Sequence, residues 1–441
     1  MIIYANLEKL EALLNRVIES SCSDFYKKNY LIALGQVLLK NKNNLSFNNS
    51  SELVNMFEKL PFLMRQNITS THPNERLYIN RDQIEFISYT SGTTDGKPLI
   101  LYWGHVDNYF YDPSLGLDVQ NILILHPALN KNFGHTFVRQ CREAKKPLTP
   151  IFADYQNLEQ SAVLASATSA DTIYTTPTLA EHIADHINKK YDSHKIKLLV
   201  LFSETLTSTK RKVLESRYPN AKIANVYASS EIGQILMYPS IDDIQGKIDL
   251  MHMQTEAVVA AELIDGELIL TMEQNKAFPL IRYKTGDFFK IFGQDPEDSK
   301  DSARDISTCP ILQWDGRMDV DKIRVNGLEI KSEDIEQALS SCRNDIGTNY
   351  QFHFYSALSP QTNKETIKIV IEISKNFINE FSKREAEEKI LQALLDKWYF
   401  TANATLQTAV DKGLALQPEI HFVENLSVQT QKTRHIVSHI K

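Results

Sequence analysis

Apolar positions near the start of the chain follow the spacing of an amphipathic helix. Leu7, Leu10 and Leu14 recur at intervals of three and four residues, which puts them on one helix face. The pattern returns at Leu53–Leu60, after a stretch rich in asparagine and serine at Asn41–Ser51. We therefore predict helices, and no obvious chemistry, up to about residue 80.

The middle of the chain alternates between short apolar runs and longer helical patterns. Such alternation indicates βαβ units, whose strands pair in parallel. Asp265-Gly266 separates two further apolar runs, and this dipeptide is typical of a hairpin turn that needs positive φ. We therefore predict a parallel sheet followed by an antiparallel β portion. Strands are expected at Glu85–Tyr89, Asn121–Leu125, Leu198–Phe202, Lys222–Tyr227, Ala257–Leu263 and Glu267–Met272, and helices at Glu159–Ala167, Leu179–Asn188 and Thr207–Arg217.

The last third of the chain has the pattern of a separate small domain. It follows a polar insertion at Asp295–Asp305, and its first helix is predicted to be capped by Ser332. Isoleucine then occupies every second position from Ile367 to Ile373, as in a strand. The predicted fold class is α/β, with a large N-terminal domain over 1–316 and a smaller α+β C-terminal domain over 317–441. A helix at Ser382–Trp398 and a strand at Glu419–Val423 complete the expected elements.

Composition narrows the class of protein. The 441 residues are 42% hydrophobic and 23% charged, which is ordinary for a globular chain. With 48 Lys+Arg against 55 Asp+Glu, the net charge of −7 disfavours binding to nucleic acid or to an anionic membrane. No apolar run is long enough to span a bilayer, and the N-terminus lacks a signal pattern. The four scattered cysteines are interpreted as reduced thiols, so we expect a cytoplasmic protein.

The most informative segment is Tyr89–Pro98, where a predicted strand runs into a loop of small and hydroxylic residues and a lysine. Glycines let backbone N–H groups approach a polyanion, hydroxyls add donors, and a lysine adds a positive charge. The segment does not match the P-loop of common NTPases. Taken alone, it could also be a polar loop between two strands. The candidate phosphate ligands are Ser91, Gly92, Thr93, Thr94, Gly96 and Lys97.

This loop is the first of a set of motifs that together resemble the adenylate-forming superfamily of acyl-CoA synthetases, adenylation domains and firefly-type luciferases. The closest resemblance is to the phenylacetate-CoA ligase group, because the phosphate loop comes within the first hundred residues. Leu60–Met64 and the run Gly266–Thr271 also look like that group. The other motifs are Tyr227–Gly233, Tyr283–Asp287, Gly316–Asp319, Lys322–Gly327 and Thr430–Arg434.

The resemblance implies that the chain activates a carboxylic acid with ATP and magnesium. The products of that step are an acyl-adenylate and pyrophosphate, and the acyl group then passes to a thiol. Glu231 would bind magnesium, and Ser230 would contact phosphate. Arg317 would contact ribose or phosphate, and Lys432 would stabilise charge on the α-phosphate and on the acid.

The resemblance also assigns the nucleoside and acid pockets. Tyr227 would lie against adenine, with Ala228 and Ser229 beside it, and Asp287 would accept hydrogen bonds from the ribose. Glu204 is a further candidate for the nucleotide site. Phe133, Gly134 and His135 resemble the region that shapes the acid pocket. Asp319 occupies the hinge position about which the small, mobile C-terminal domain would rotate between the two half-reactions.

The substrate and the acceptor are less strongly indicated. No Asp or Glu occurs in His126–Val138, where amino-acid adenylation domains place an aspartate for the substrate ammonium. This weakens an α-amino acid as the substrate, and the resemblance to the phenylacetate-CoA ligase group implies an aromatic or other small organic acid. CoA is the expected acceptor, and the phosphopantetheine arm of a carrier protein is the alternative. A second alternative is a catalytically silent nucleotide-binding relative, which the retained charged residues disfavour: Lys97, Glu231, Asp287, Arg317 and a C-terminal lysine.

Overall fold

The structure is a computed structural model, and it divides the chain into two compact units. The first comprises Met1–Thr175, Ile183–Ser203 and Asn220–Asp315; the second comprises Thr176–His182, Glu204–Pro219 and Gly316–Lys441. The predicted domains 1–316 and 317–441 remain a prediction. The described residues are 1–19, 24–30, 50–89, 99–104, 112–126, 132–144, 146–233, 235–247, 249–293, 306–317, 322–325, 328–341, 351–358, 365–372, 380–397, 399–401, 404–411 and 416–423.

A five-stranded parallel sheet forms one core of the first unit. Its central strand, Thr172–Thr175, is buried at every position and lies between Asn121–Leu125 and Leu198–Leu201. Strands that are buried along their whole length are typical of parallel sheets covered on both faces. The edge strands are Thr149–Phe152 and Lys222–Asn225. The helices along this stretch of chain are Asn132–Glu143, Leu158–Ala167, Pro177–Lys190 and Ser208–Arg217.

The parallel sheet and helices agree with the predicted α/β class, with one difference at the end of the last strand. The predicted strand Lys222–Tyr227 is two elements: it ends at Asn225, and Tyr227–Ala228 pairs in a separate antiparallel sheet. That sheet has the order His252–Met253, Ile235–Tyr238, Tyr227–Ala228. The change of sheet at Val226 leads into the turn that contains the candidate residues Ser229, Ser230 and Glu231.

The antiparallel portion is a five-stranded sheet built around the predicted hairpin. Asp265 and Gly266 have φ values of 51° and 82°, and Ile264 pairs with Glu267 across them. Positive φ at both central residues gives the twist that two-residue hairpins favour. The sheet order is Ile2–Ala5, Ala260–Ile264, Glu267–Met272, Leu280–Ile291, Leu312–Arg317.

The N-terminal helices bury the predicted apolar face. Leu10, Leu13 and Leu14 are fully buried in a core shared with Leu280 and Ile281 of the antiparallel sheet. The N-terminal helices are Leu7–Glu19, 24–30, Ser50–Phe57 and Arg65–Thr69. A further helix is Ile241–Gly246, and 3-10 turns occur at Pro73–Arg76, Arg81–Gln83, Ser193–Lys195 and Thr255–Ala257. A separate hairpin pairs Phe86–Tyr89 with Ile100–Trp103.

The second unit has its own core around the alternating isoleucines. Ile367, Ile369 and Ile371 are buried against the helix that includes Ile390 and Leu394. The sheet order is Gln351–Leu358, Glu365–Glu372, Glu419–Val423, and the last pair is parallel. The remaining elements are strands Lys322–Val325, Leu328–Lys331, Tyr399–Thr401 and Ala404–Thr405 and helices Ser332–Ser341, Glu380–Lys397 and Leu406–Asp411.

Two helices of the second unit are joined by side-chain hydrogen bonds. The Thr207 hydroxyl donates to the buried Glu336 carboxylate, and Ser208 Oγ donates to Glu333 Oε1 at 2.8 Å. Burial raises the pKa of Glu336 above its ordinary value of 4.5.

Two of the four cysteines lie in the described part of the chain, and both are free thiols: Cys141 is buried and Cys309 is half-buried. Burial raises the pKa of Cys141 to about 12, so its thiol is unreactive near neutral pH. None of the helices in the described ranges is both long enough and apolar enough to cross a bilayer.

Candidate active site

Tyr227 and Asp287 form a direct hydrogen bond although 60 residues separate them in the chain. The Tyr227 hydroxyl donates to Asp287 Oδ2 at 2.7 Å, and both side chains are buried. The Tyr227 ring packs edge-on against Phe289, at 5.2 Å between centroids, and lies 5.9 Å from Trp314. A hydrogen bond to a charged carboxylate in a buried setting is stronger than one between neutral groups. The pair therefore fixes the end of one motif against the other.

Backbone and side-chain contacts on neighbouring strands position Asp287. Glu267 accepts the Gly286 N–H at 3.1 Å and pairs with the Lys284 ammonium at 2.8 Å. The Thr285 hydroxyl donates to the Leu268 carbonyl at 2.8 Å. These contacts hold the strand that leads into Asp287 in register with the hairpin before it.

The turn that follows Tyr227 is closed by its own residues. Ser229 accepts two backbone N–H groups: its carbonyl takes that of Gly233 at 2.9 Å, and its hydroxyl takes that of Ile232 at 3.3 Å. Gly233 has a φ of +80°, which favours glycine. A Cβ at this position would meet ring carbons of Trp103 within 3.0 Å, so the ring lies directly on the glycine. The turn is thereby packed against the hairpin Phe86–Tyr89/Ile100–Trp103.

Glu231, at the centre of this turn, pairs with an arginine from the N-terminal helical segment. Arg65 Nη1 lies 2.5 Å from Glu231 Oε1, and the two side chains are 18% and 10% exposed. The residues are 166 apart in sequence. A guanidinium this close to a mostly buried carboxylate offsets its negative charge.

The segment that carries Arg65 is bonded to the strand that carries Asp287. The Leu63 N–H donates to the Arg282 carbonyl and the Leu63 carbonyl accepts from the Lys284 N–H, both at 3.0 Å. Shortly before Leu63 in the chain, the carbonyls of Glu58 and Leu60 accept hydrogen bonds from the Arg282 guanidinium. Arg282 therefore ties the N-terminal segment to the sheet from inside the protein.

A buried carboxylate balances the charge of Arg282. Arg282 Nη2 and Nε donate to the two oxygens of Glu262 at 2.8 and 2.9 Å, and both side chains are buried. The Arg282 guanidinium also lies 4.3 Å from the centroid of Phe62. A two-pronged arginine–carboxylate contact has a fixed direction as well as strength. The backbone φ of Arg282 is 48°, which is unusual for a residue with a side chain.

The carboxyl ends of the parallel strands present a second group of polar residues. His126 follows the strand Asn121–Leu125, and its Nε2 lies 3.2 Å from Ser203 Oγ, which follows Leu198–Leu201. Ligands of open α/β sheets bind at this edge. Ser203 has a φ of 71°, a backbone conformation that is costly for serine.

The structure brings some of the predicted residues together and leaves others outside its described part. The contacts above join Tyr227 to Asp287 and fix the turn of Ser229 and Glu231, and Ala228 and Ser230 lie in the same segment. Ser91, Gly92, Thr93, Thr94, Gly96, Lys97, Asp319 and Lys432 lie outside the described residues. The same holds for the side chains of Phe133 and His135, whose backbone is in the first turn of the helix Asn132–Glu143, beside the buried Gly134.

The two remaining candidates are described in the second unit. Glu204 Oε2 accepts the backbone N–H of Thr178 at 3.1 Å, in the first turn of the helix Pro177–Lys190. A carboxylate is favourable at that end of a helix. Arg317 is half-buried at the end of the strand Leu312–Arg317.

Comparison with known proteins gives the family context for this geometry. No family model matches the chain. A phenylacetate-coenzyme A ligase of Thermus thermophilus is 22% identical over 354 residues, covering 76% of this chain and 76% of that protein. A phenylacetate-coenzyme A ligase of Pseudomonas putida is 21% identical over 347 residues, covering 71% and 72%.

Two solved structures share the fold over most of this chain. The structure of 2-hydroxyisobutyryl-CoA ligase in its postadenylation state, in complex with 2-HIB-AMP, has a TM-score of 0.66 at 14% identity. The match covers 98% of this chain and 88% of that one. An anthranilate CoA ligase in complex with anthranoyl-AMP has a TM-score of 0.52 at 15% identity, covering 90% and 73%. This chain resembles the adenylate-forming ligases in sequence and in fold. The superfamily predicted from the motifs is confirmed, and the two sequence relatives are in the phenylacetate-CoA ligase group that the motifs resemble.

Sequence reasoning missed Arg65 as a partner of Glu231. The signal was close at hand, because the segment Leu60–Met64 was recognised as similar to the phenylacetate-CoA ligase group and Arg65 is the next residue. A single arginine after an apolar run has no feature that separates it from a surface cation. Only the fold shows that its partner comes from the turn after Tyr227.

Proposed function

We propose that this protein is an AMP-forming acid–thiol ligase. In the first half-reaction an oxygen of the carboxylic acid attacks the α-phosphorus of ATP, the bond to the bridging oxygen breaks, and pyrophosphate leaves. In the second, a thiol sulfur attacks the acyl carbon, AMP leaves and the thiol proton is released. The observation that carries the proposal is the contact of Tyr227 with Asp287, which joins the two motifs assigned to adenine and ribose.

The geometry of this pair suits a nucleoside. Tyr227 offers an aromatic surface beside the half-buried backbone of Ala228, and Asp287 has a carboxylate that can accept from both ribose hydroxyls. Because the Tyr227 hydroxyl occupies one carboxylate oxygen, the carboxylate is already oriented before a nucleotide binds. Such prior orientation lowers the entropic cost of binding.

Magnesium is compatible with the residues around Glu231. The carboxylate is mostly buried, and carboxylate oxygens are ligands that this hard cation prefers. Within the described ranges no group of three or more His, Cys, Asp or Glu side chains could hold a metal. Magnesium that is bound to substrate phosphates needs only one or two protein carboxylates. When bound, it would offset the charge that keeps two anions apart.

The protein's own cations would do the rest of that task. An acid carboxylate and an ATP phosphate repel each other, so the step needs positive charge and in-line positioning. Lys97 and Lys432 are proposed for the phosphates and the acid, and Arg317 for the ribose or phosphate. The relatives' names favour a small organic acid, since they act on phenylacetate, 2-hydroxyisobutyrate and anthranilate.

The decisive measurement is acid-dependent exchange of labelled pyrophosphate into ATP. A panel with phenylacetate, anthranilate and 2-hydroxyisobutyrate should contain acids that support exchange. Asp287→Asn should reduce exchange strongly, whereas Asp118→Asn, which removes an exposed carboxylate paired with Lys146, should not. Binding of ATP without exchange for any acid would contradict the proposal and favour a silent nucleotide-binding relative.

The acceptor is tested in the same system. We propose CoA as the acceptor, since the relatives are CoA ligases. Addition of CoA to the acid, ATP and magnesium should release AMP and form a thioester. Thioester formation on a phosphopantetheine carrier protein but not on CoA would support the alternative acceptor.

A further inference from the structure

We propose that Arg65 is a positioning residue for Glu231. It neutralises the Glu231 carboxylate while no metal is bound, and a divalent cation must displace it in order to bind. The proposal rests on the proposed function, which gives Glu231 its role at the metal. It goes beyond that function because it assigns a competitor for the same carboxylate from within the chain.

The contact itself is the first observation. Arg65 Nη1 lies 2.5 Å from Glu231 Oε1, so the guanidinium occupies an oxygen that a divalent cation would use. The two side chains are 18% and 10% exposed, and water screens a pair in this setting less than one at the surface. A positive charge here stabilises the carboxylate when the metal is absent and repels an incoming cation.

The second observation is that the backbone next to Arg65 is fixed. Two hydrogen bonds join Leu63 to the strand of Tyr283, and the Arg282 guanidinium holds the carbonyls of Glu58 and Leu60. The Arg65 side chain therefore begins from an anchored position. Its long, flexible stem still allows the guanidinium to swing away from Glu231 when a metal arrives.

The third observation is the shape of the opposing turn. Ser229 accepts the N–H groups of Ile232 and Gly233, so the backbone on either side of Glu231 is closed. Glu231 is thus held on one side by its turn and on the other by Arg65. Loss of Arg65 removes the competing charge, while the turn keeps the backbone of Glu231 in place.

The test measures binding of Mn²⁺, as a probe for magnesium, to the full chain without nucleotide by electron paramagnetic resonance. The relevant signal is the Mn²⁺ binding that disappears in Glu231→Gln. Arg65→Gln should strengthen that Mn²⁺ binding by about tenfold, the order expected when one unit charge is removed from beside a partly buried carboxylate. Arg65→Lys keeps the positive charge, so its Mn²⁺ affinity should stay close to the weak affinity of the wild type.

Lys290→Gln is the matched control. It removes one positive charge and one ion pair, that of Lys290 with Asp315 at 2.9 Å, in the same unit but at another site. Mn²⁺ affinity in this variant should equal that of the wild type. Thermal midpoints of all variants show whether each is folded at the temperature of the binding measurement.

Three results would overturn the proposal. The Mn²⁺ affinity of Arg65→Gln could equal that of the wild type, it could be weaker, or neither the wild type nor Arg65→Gln could show Mn²⁺ binding that depends on Glu231. Pyrophosphate exchange by the wild type separates this failure from that of the proposed function. Exchange with unchanged Mn²⁺ affinity in Arg65→Gln contradicts only the role of Arg65. Absence of exchange with any acid contradicts the proposed function itself.

Discussion

Gly233 offers a quantitative test of how the turn at Glu231 is built. Two separate effects oppose any side chain there. Its φ of +80° costs a residue with a Cβ about 1–2 kcal/mol. The added methyl would also overlap the ring of Trp103, and overpacking of this kind costs about 1–3 kcal/mol. Gly233→Ala should therefore lower the free energy of unfolding by about 2–5 kcal/mol, the sum of the two effects.

The ring of Trp103 has little freedom to move aside. It is buried, it stacks on Phe86 at 5.7 Å with an interplanar angle of 8°, and its Nε1 donates to Ser88 Oγ at 2.7 Å. Gly293 is the matched control, because its φ is +75° but an added Cβ would meet nothing within 4 Å. Gly293→Ala should therefore cost only the backbone part, about 1–2 kcal/mol.

Urea unfolding of both variants, followed in the transition of the first unit, measures the difference. A protein with two units need not unfold in a single step, so the same transition must be compared throughout. Combining Gly233→Ala with Trp103→Phe should cost less than the sum of the two single changes, because each variant relieves the other. Equal costs for Gly233→Ala and Gly293→Ala, or strict additivity with Trp103→Phe, would refute the assigned contact.

Three further predictions follow from single contacts. Glu262→Gln should lower the free energy of unfolding in urea by about 3–5 kcal/mol, because it leaves the buried Arg282 charge uncompensated; a loss below 1 kcal/mol would contradict the pairing. Tyr227→Phe should weaken ATP binding by about tenfold or more in calorimetry, since it removes a hydrogen bond to the Asp287 carboxylate; unchanged affinity would argue against its role. Glu336 has a raised pKa, so the stability that its protonated form gives is present below 4.5 and is lost as the pH rises through the raised value. Glu336→Gln should flatten that loss, and thermal midpoints between pH 5 and pH 8 that fall equally in both proteins would contradict it.

The local elements of the fold could be predicted because their causes are local. The Asp265-Gly266 turn and the alternating isoleucines from Ile367 each determine an element through backbone preference or burial alone. The predicted strand from Lys222 is too long because Val226 and Tyr227, which follow its observed end at Asn225, are compatible with extended backbone. The switch to a second sheet depends on a pairing with Ile235–Tyr238, and nothing within the strand itself indicates it.

The candidate residues of the nucleotide site can be identified from the sequence for a similar reason. Tyr227, Glu231 and Asp287 stand in short motifs that can be identified without knowing what they touch. The hydrogen bond from Tyr227 to Asp287 could not be derived from either motif, because it depends on two strands that belong to different sheets. Motif resemblance thus selects the candidate residues, and the fold shows how their side chains are oriented.

The supporting contacts of the candidate site share one property, which explains why the sequence did not reveal them. Arg65 reaches Glu231 across 166 residues, and Arg282 reaches the Leu60 carbonyl across 222. In both cases an arginine from one region of the chain neutralises or fixes a group from another, and each arginine looks like an ordinary charged residue by itself. Since a buried charge is costly without its partner, a substitution on one side creates a penalty that a change on the other side can remove. The changes in the free energy of unfolding caused by substitutions at Arg65 and at Glu231 should therefore be non-additive in the double variant. Two independent surface charges would instead give additive changes.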